Sequence, residues 1–294
     1  MPFLGQIIGR CGQDTPHTGA GFCPKKEGKT VAIILTGANA FYEADPVKFV
    51  EELSAHVTAI DSKRMYPIKG VVGMPISGGD VNAPELGVYG GATPEGLNAK
   101  NIAYQIDGGD CLYKELAKTN KRKMRIFHID DEGFIYGTVV VRDGVEYFAG
   151  FEITVYAVRV RTDGSTAYNL SLYAYYSVNN ESEEKNMFGF EVGLANIPDG
   201  LVGVILKTGA AAGTVQVVTA CGGEDITPEY GPDWTPAMFI NDAGIQASTV
   251  SYGANGMLTI APAGKYRVAS SAVLATGDIL GLEGLPQLTT IPGV

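Results

Sequence analysis

Three histidines, four cysteines and several short acidic runs are the residues here that could do chemistry. The histidines are His17, His56 and His128, and they form neither a His-x-x-x-His nor a His-Glu-x-x-His pair. His128 stands two residues before Asp130, where it reads either as a catalytic base or as a structural strand residue. Asp130, Asp131 and Glu132 precede Gly133. Three consecutive carboxylates can collect a hard cation such as calcium, but Asp and Gly also build hairpin turns for backbone reasons alone. The run does not match a twelve-residue calcium loop. Glu181, Glu183 and Glu184 read as a solvated loop. Cys11, Cys23, Cys111 and Cys221 are too scattered for an obvious zinc site. Cys11 and Cys23 could close a small loop, which an intracellular setting would keep reduced.

The glycine-rich stretches add no nucleotide site. Ser77–Asp80 (SGGD), Tyr89–Gly91 (YGG) and Gly19–Gly21 (GAG) lack the Lys-Ser/Thr ending of a phosphate loop and the strand–turn–helix setting of a dinucleotide fingerprint. No Gly-x-Ser-x-Gly elbow occurs. Carboxylate pairs for glycoside chemistry stay open, since nothing selects one pair. No catalytic, cofactor-binding or metal-binding residue is therefore assigned, and no cofactor is expected.

The elements that would position these residues are mostly strands. The chain is 45% hydrophobic and 18% charged, with 39 Gly and 15 Pro in 294 residues, as in a folded, turn-rich β protein. Its formal charge of −10 should repel bare nucleic acid unless one face is basic. Lys118, Lys121, Arg122, Lys123 and Arg125 are the one basic run, read as a solvated turn. No apolar run reaches transmembrane length, and the N-terminus lacks the pattern of a signal peptide.

Residues 1–30 read as an arm, rich in Gly, Pro and Thr. Val31–Leu35 reads as a buried strand. Asp45 and Pro46 open a helix over Val47–Ile60, with Val47, Val50, Leu53, Val57 and Ile60 on its apolar face and Phe49 near one edge. Val71–Pro75 suits a strand, and Ser77–Asn98 a long loop. Ile102–Ile106 is a further strand, and Asp110 caps a helix over Cys111–Ala117. Met124–Ile129 and Phe134–Val141 form a hairpin around the acidic turn. A longer hairpin follows, Tyr147–Arg161 and Thr166–Val178 around Thr162–Ser165, with large side chains on both faces. The polar run VNNESEEKN precedes a strand over Met187–Leu194. The pattern resets near Asn196–Gly200. Residues 201–280 then read as six short strands of a small β-sandwich, and Gly281–Val294 as an extended tail. The implied division is an arm at 1–30, an assembly domain at 31–196, a sandwich at 197–280 and a tail at 281–294.

Long hairpins can join edge to edge between copies, and a closed ring would protect their edges. Packing within the chain is the equally weighted alternative. The helix DPVKFVEEL, the loop SGGDVNAPELGVYGG, the stretch MRIFHIDDEGFIYGTVVV and the strands FEITVYAVRVR and AYNLSLYAYYSV together resemble bacteriophage tail-tube proteins that stack as rings. GKYRVASSAVL resembles a late strand of an appended immunoglobulin-like module. The resemblance implies a mainly β fold: a β-sandwich or barrel-like core with one or two flanking helices and a long hairpin, plus a C-terminal immunoglobulin-like β-sandwich. It also implies a non-enzymatic virion subunit, assembled in the bacterial host cytoplasm. Its partners would be copies of itself in a stacking hexameric ring, other phage structural proteins, and genomic DNA only in transit, with no membrane. Hairpins would line the channel, with nearby acidic residues repelling DNA. The alternatives are a capsid accessory, collar or baseplate protein, a carbohydrate-binding adhesion module, and a β-rich hydrolase.

Overall fold

The computed structural model describes residues 7–8, 27–84, 92–160 and 169–292. Most of the expected arm, with His17, Cys11 and Cys23, lies outside the described residues, as do the hairpin turn at 162–165 and loop residues 85–91. The protein is mainly β, with several sheets, some helices and one sheet curled as a half-barrel. It divides into two units, Met1–Ser54 with Ser62–Pro198, and Ala55–Asp61 with Asp199–Val294. No helix among the described residues is long and apolar enough to cross a membrane.

In chain order the first unit runs β1 (Ile7–Ile8), β2 (Thr30–Gly37), β3 (Tyr42–Glu43), α1 (Pro46–Thr58, its last residues counted with the second unit), β4 (Met65–Lys69) and β5 (Val71–Gly73). There follow β6 (Ile76–Ser77), β7 (Val81–Asn82), β8 (Gly96–Leu97), β9 (Asn101–Ile106), α2 (Asp110–Ala117) and β10 (Lys123–Asp130). The unit ends with β11 (Phe134–Arg142), β12 (Val145–Ala149), β13 (Phe151–Val160), β14 (Asn169–Tyr176), α3 (Asn180–Lys185) and β15 (Met187–Glu191).

β10 is the hub of the sheet. One of its edges pairs with β2 along nearly its whole length. The other edge pairs with β13 at Lys123–Ile126 and then with β11 at His128–Ile129. From β10 the ladder continues through β13, β14 and β9 to β5, while on the other side β2 pairs with β4. β4 and β5 are consecutive, parted only by Gly70, whose φ of 79° turns the chain from one partner to the other. Strand alternation places Val155, Ala157, Leu172, Ile102 and Tyr104 inside the curl, in an aliphatic core with Ile33, Leu35 and Ile126. A second, aromatic cluster forms around Phe49 of α1, whose ring lies 5.3 to 6.0 Å from those of Tyr42, Phe127, Phe148 and Phe190.

Several expectations need correction. The run Tyr147–Arg161 is not one strand. It breaks at Gly150, where β12 pairs with β11 and β13 pairs with β10. A Cβ at Gly150 would lie 2.7 Å from the Ile126 backbone, so only glycine lets the chain cross there. Gly150→Ala should therefore cost about 3 kcal/mol, because the obstacle is a central strand and cannot move aside. Chemical denaturation would measure the loss.

The long hairpin is also interior to the sheet in its described part. β13 is held between β14 and, over Phe151–Thr154, β10, and β14 lies between β13 and β9, so these stretches bond within the chain. On α1, Asp45 accepts from the Val47 and Lys48 amides as a cap should. The buried stripe is Phe49, Leu53 and Val57, whereas Val47 and Ile60 are exposed. Gly109 stands at the N-cap of α2, and Asp110 is the first helical residue. The loop 77–98 contains a small ladder, β7 with β8, beside a hydrogen bond from Asn98 to Asp80. The polar run after Ser177 is α3, with Asn180 and Glu183 buried.

The second unit contains β16 (Val202–Thr208), β17 (Thr214–Thr219), α4 (Thr227–Tyr230), β18 (Phe239–Asn241), β19 (Thr249–Tyr252), β20 (Leu258–Ala261), β21 (Gly264–Val268), α5 (Ser271–Ala275), β22 (Leu282–Gly284) and β23 (Thr289–Ile291). One sheet has the order β19-β20-β17-β16-β22 and the other β18-β21-β23. Trp234, Phe239, Val217, Leu258 and Val268 share one core. The expected tail is part of both sheets: Leu282 and Ile291 are buried, which draws β22 beside β16 and β23 beside β21.

Candidate functional site: a polar core and an uncharged tyrosine face

Polar side chains interrupt the apolar sequence of β10 at Arg125, His128 and Asp130, and all three are buried. Each organises a separate set of partners.

His128 lies on the curled sheet with Nε2 2.8 Å from the Tyr104 hydroxyl and 3.0 Å from the Tyr176 hydroxyl, which are themselves 3.1 Å apart. Its Nδ1 is 2.7 Å from Glu27 Oε1. The group adjoins a cavity of about 240 Å³, also lined by Lys100, Glu184, Phe151 and Met187. Lys100 donates to Glu184 at 2.5 Å and lies 5.0 Å from the centre of the Tyr176 ring.

Burial, with the neighbouring Tyr176 adding to it, pushes the Tyr104 hydroxyl well above the ordinary tyrosine value. Burial raises Tyr176 as well, against the opposing hydrogen bond with Tyr104. Burial also pushes the Glu27 carboxyl up, but the hydrogen bond and charge of His128, together with the Lys100 ammonium, outweigh it and hold Glu27 below its ordinary 4.5. Both phenols keep their protons and Glu27 stays ionised at neutral pH. The cluster thus acts as a clasp, tying the segment before β2 to β9, β10 and β14.

A lowered carboxyl value stabilises the fold above the unfolded value, and that stability is lost as the pH falls through the folded value. Glu27→Gln should cost about 1 kcal/mol at pH 6, a modest figure because Glu27 is partly exposed. The gap between wild type and variant should close below pH 4.5, which urea unfolding at several pH values would follow.

Asp130 is fully buried. Its Oδ1 accepts from the Glu132 and Phe134 amides at 3.0 and 2.8 Å, and its Oδ2 from the Tyr136 hydroxyl and the Gly28 amide at 2.8 and 3.3 Å. Burial, reinforced by this carboxylate, raises the Tyr136 hydroxyl far above the ordinary value. Of the two readings of the acidic run, the turn is the one realised. Asp131 and Glu132 are exposed, and no cluster able to hold a metal ion occurs among the described residues.

Arg125 is drawn out of the expected basic run. Its guanidinium donates to Gly150 O, Ala38 O and Glu183 Oε1 at 2.7, 3.0 and 3.2 Å. Glu183 also accepts from the Glu152 amide at 2.8 Å. Burial raises the Glu183 carboxyl despite that bond and the Arg125 charge. Of the other basic residues, Lys118 pairs with Glu115 in solvent. Cys111 and Cys221 are each disulfide-bonded.

The outward face of β13, β14 and β9 is a contrasting surface. Its rungs read Thr154–Tyr175–Asn101, Tyr156–Tyr173–Ala103 and Val158–Ser171–Gln105. None of these nine residues is charged, and Glu152 precedes them on the same face of β13. Tyr173 and Tyr175 stack at 6.4 Å, and Tyr156 and Tyr175 are 40% and 48% exposed.

The alternating apolar pattern disclosed the inward and outward sides of these strands. It did not disclose the partners of His128 or Arg125, which come from segments distant in sequence. The available signal was the presence of three polar residues in a strand otherwise apolar on both faces.

No protein-family model matches the chain. A search of curated proteins likewise finds no match.

Proposed function

We propose that the protein is a structural subunit that assembles with copies of itself, as in the stacked rings of a phage tail tube. The observation that carries this reading is the ladder around Gly70. β4 and β5, adjacent in sequence, pair with the opposite ends of the run β2-β10-β13-β14-β9. We read this ladder as the frame of a barrel-like core, and α1, the loop at 77–98, the segment before β2 and the second β unit support the layout that the resemblance implies. The link from this layout to an assembly role is one of analogy.

In this reading the buried polar sets hold a stiff shell, and association uses faces and the outer strands rather than the edges of the long hairpin. Within the chain, the two-residue strand β1 pairs with the edge of β15. The C-terminal unit would be an immunoglobulin-like sandwich. Other phage proteins would cap or extend the rings, and DNA would only pass through. Assembly would occur in the host cytoplasm, while disulfides at Cys111 and Cys221 suit a particle that persists outside it.

Native mass measurement and electron microscopy of the purified protein test the reading. Discrete rings or tubes are expected, and a stable monomer at high concentration would overturn it. The exposed tyrosines favour a second reading, a carbohydrate-binding module, because aromatic faces stack on sugars. They lie on the first unit, so a glycan array must use the full chain.

A further inference from the structure

We propose that Lys100 and Asn180 are the partners of a self-formed amide cross-link, with Glu184 as its proton carrier. The three side chains meet at one atom. Lys100 Nζ donates to Glu184 Oε1 at 2.5 Å, and Asn180 Nδ2 donates to the same oxygen at 3.2 Å. Asn180 and Glu184 stand one turn apart on α3 and so share a face of that helix. The ladder carries Lys100 to this face: it immediately precedes β9, and its carbonyl accepts from the Tyr176 amide at 3.0 Å, at the end of β14. An ion pair would account for Lys100 and Glu184, but not for Asn180. That residue is only 6% exposed, and its Oδ1 has no hydrogen-bond partner among the described residues. A buried carboxamide oxygen in that state is uncommon and costly.

The site holds each part of an aminolysis. Glu184 takes a proton from the Lys100 ammonium, which removes both charges at once. Phe151, Met187 and the Tyr176 ring, 5.0 Å from Lys100 Nζ, favour such a neutral pair more than water does. Among the described residues the Asn180 amide is tied through Nδ2 alone, so it can turn over and bring Oδ1 to the proton on Glu184. The polarised Cγ then accepts the amine. The Nζ–Cγ bond forms, the Cγ–Nδ2 bond breaks, and Glu184 passes a proton to the leaving nitrogen. One C–N bond replaces another, and the ammonium ion that departs carries the positive charge that Lys100 began with. No oxidant, reductant or co-reactant enters, and Glu184 ends as a carboxylate again. Its side chain is 39% exposed, which leaves the product a way to solvent. The link closes a covalent loop through β9, α2 and β10 to β14, beside the His128 clasp. It would stabilise the first unit as a disulfide does, by constraining the unfolded chain. This inference holds whether or not the chain assembles.

The test is the mass of the full chain, purified, stored, then reduced and denatured. The expected mass is that of the sequence less one ammonia. A tryptic digest should contain one branched peptide joining the Lys100 and Asn180 segments, with no cleavage after Lys100. Glu184→Gln should form the link roughly a hundredfold more slowly, with circular dichroism to check that it folds. Stored wild type of full mass, with Lys100 and Asn180 in separate peptides, would overturn the inference. So would ammonia loss traced to another asparagine, such as Asn255 before Gly256, without a branched peptide. A glutamine variant that links as fast as wild type would overturn the role given to Glu184. Should that variant misfold, the wild-type mass and digest decide alone.

Discussion

Asp130→Ala is expected to lower stability by about 3–5 kcal/mol, a large part of the total for a domain of this size. The carboxylate satisfies three backbone amides and one buried hydroxyl. Alanine offers none of them an acceptor. The Phe134 amide and the Tyr136 hydroxyl then remain in surroundings that water reaches poorly, at about 1–3 kcal/mol each. The Gly28 amide is released as well, so the start of β2 loosens from the turn. Asp130→Asn should be milder, about half the loss. Its carbonyl oxygen can still accept from the two turn amides, while its NH₂ faces the Gly28 N–H as a second donor. Urea unfolding would measure the difference. Limited proteolysis around Gly28 should show faster cleavage in the alanine variant than in the asparagine variant. Equal stability of wild type and alanine variant would show that the turn holds without its carboxylate.

The same turn shows what the sequence makes legible. Asp-Asp-Glu-Gly between two alternating runs specifies a hairpin because its requirements are local: a side-chain acceptor near the turn amides and a glycine at positive φ, here 84° at Gly133. The start of α1 is legible for the same reason, since Asp45 and Pro46 act within one turn of helix. Gly150 is different. The residues on either side continue an apolar strand pattern, and the reason for the break is the backbone of Ile126, twenty-four residues earlier. The polar composition of α3 is that of a solvated loop. Glu183 is buried only because Arg125 reaches it from β10. The clasp at His128 is equally non-local, with Tyr104, Tyr176 and Glu27 coming from three other segments. Local rules thus yielded most elements, while the candidate site depends on which strands become neighbours.

The tyrosine face falls between these cases. Alternation in FEITVYAVRVR and AYNLSLYAYYSV shows two faces, each carrying large residues. Only the register across β9, β14 and β13 reveals that the residues of one face align in uncharged rungs, and that the other face is the one filling the curl.

Arg125→Met is expected to be as damaging as loss of Asp130, at about 3–5 kcal/mol. The guanidinium and the Glu183 carboxylate are both almost wholly buried, with side-chain exposures of 9% and 10%. Methionine fills much of the volume but leaves the carboxylate without its cation, and the carbonyls of Gly150 and Ala38 without a donor. Gly150 is the crossing point between β12 and β13, so the loss falls on the junction of two parts of the sheet. The pH dependence distinguishes a charge effect from lost packing. Burial already holds the Glu183 carboxyl above its ordinary value, and removing Arg125 must raise it further. A group with a raised folded value stabilises the fold fully below the unfolded value and loses that contribution as the pH rises through the folded value. Arg125→Met should therefore be weakest at neutral and alkaline pH and recover part of its stability on acidification towards pH 4.5. Adding Glu183→Gln removes the unpaired charge and keeps an acceptor for the Glu152 amide. The double variant should recover about half of the loss at pH 7 and show a flatter pH profile. A double-mutant cycle in urea at pH 7 and pH 5 would measure the coupling. Additive losses with no pH dependence would show that Arg125 acts through packing alone.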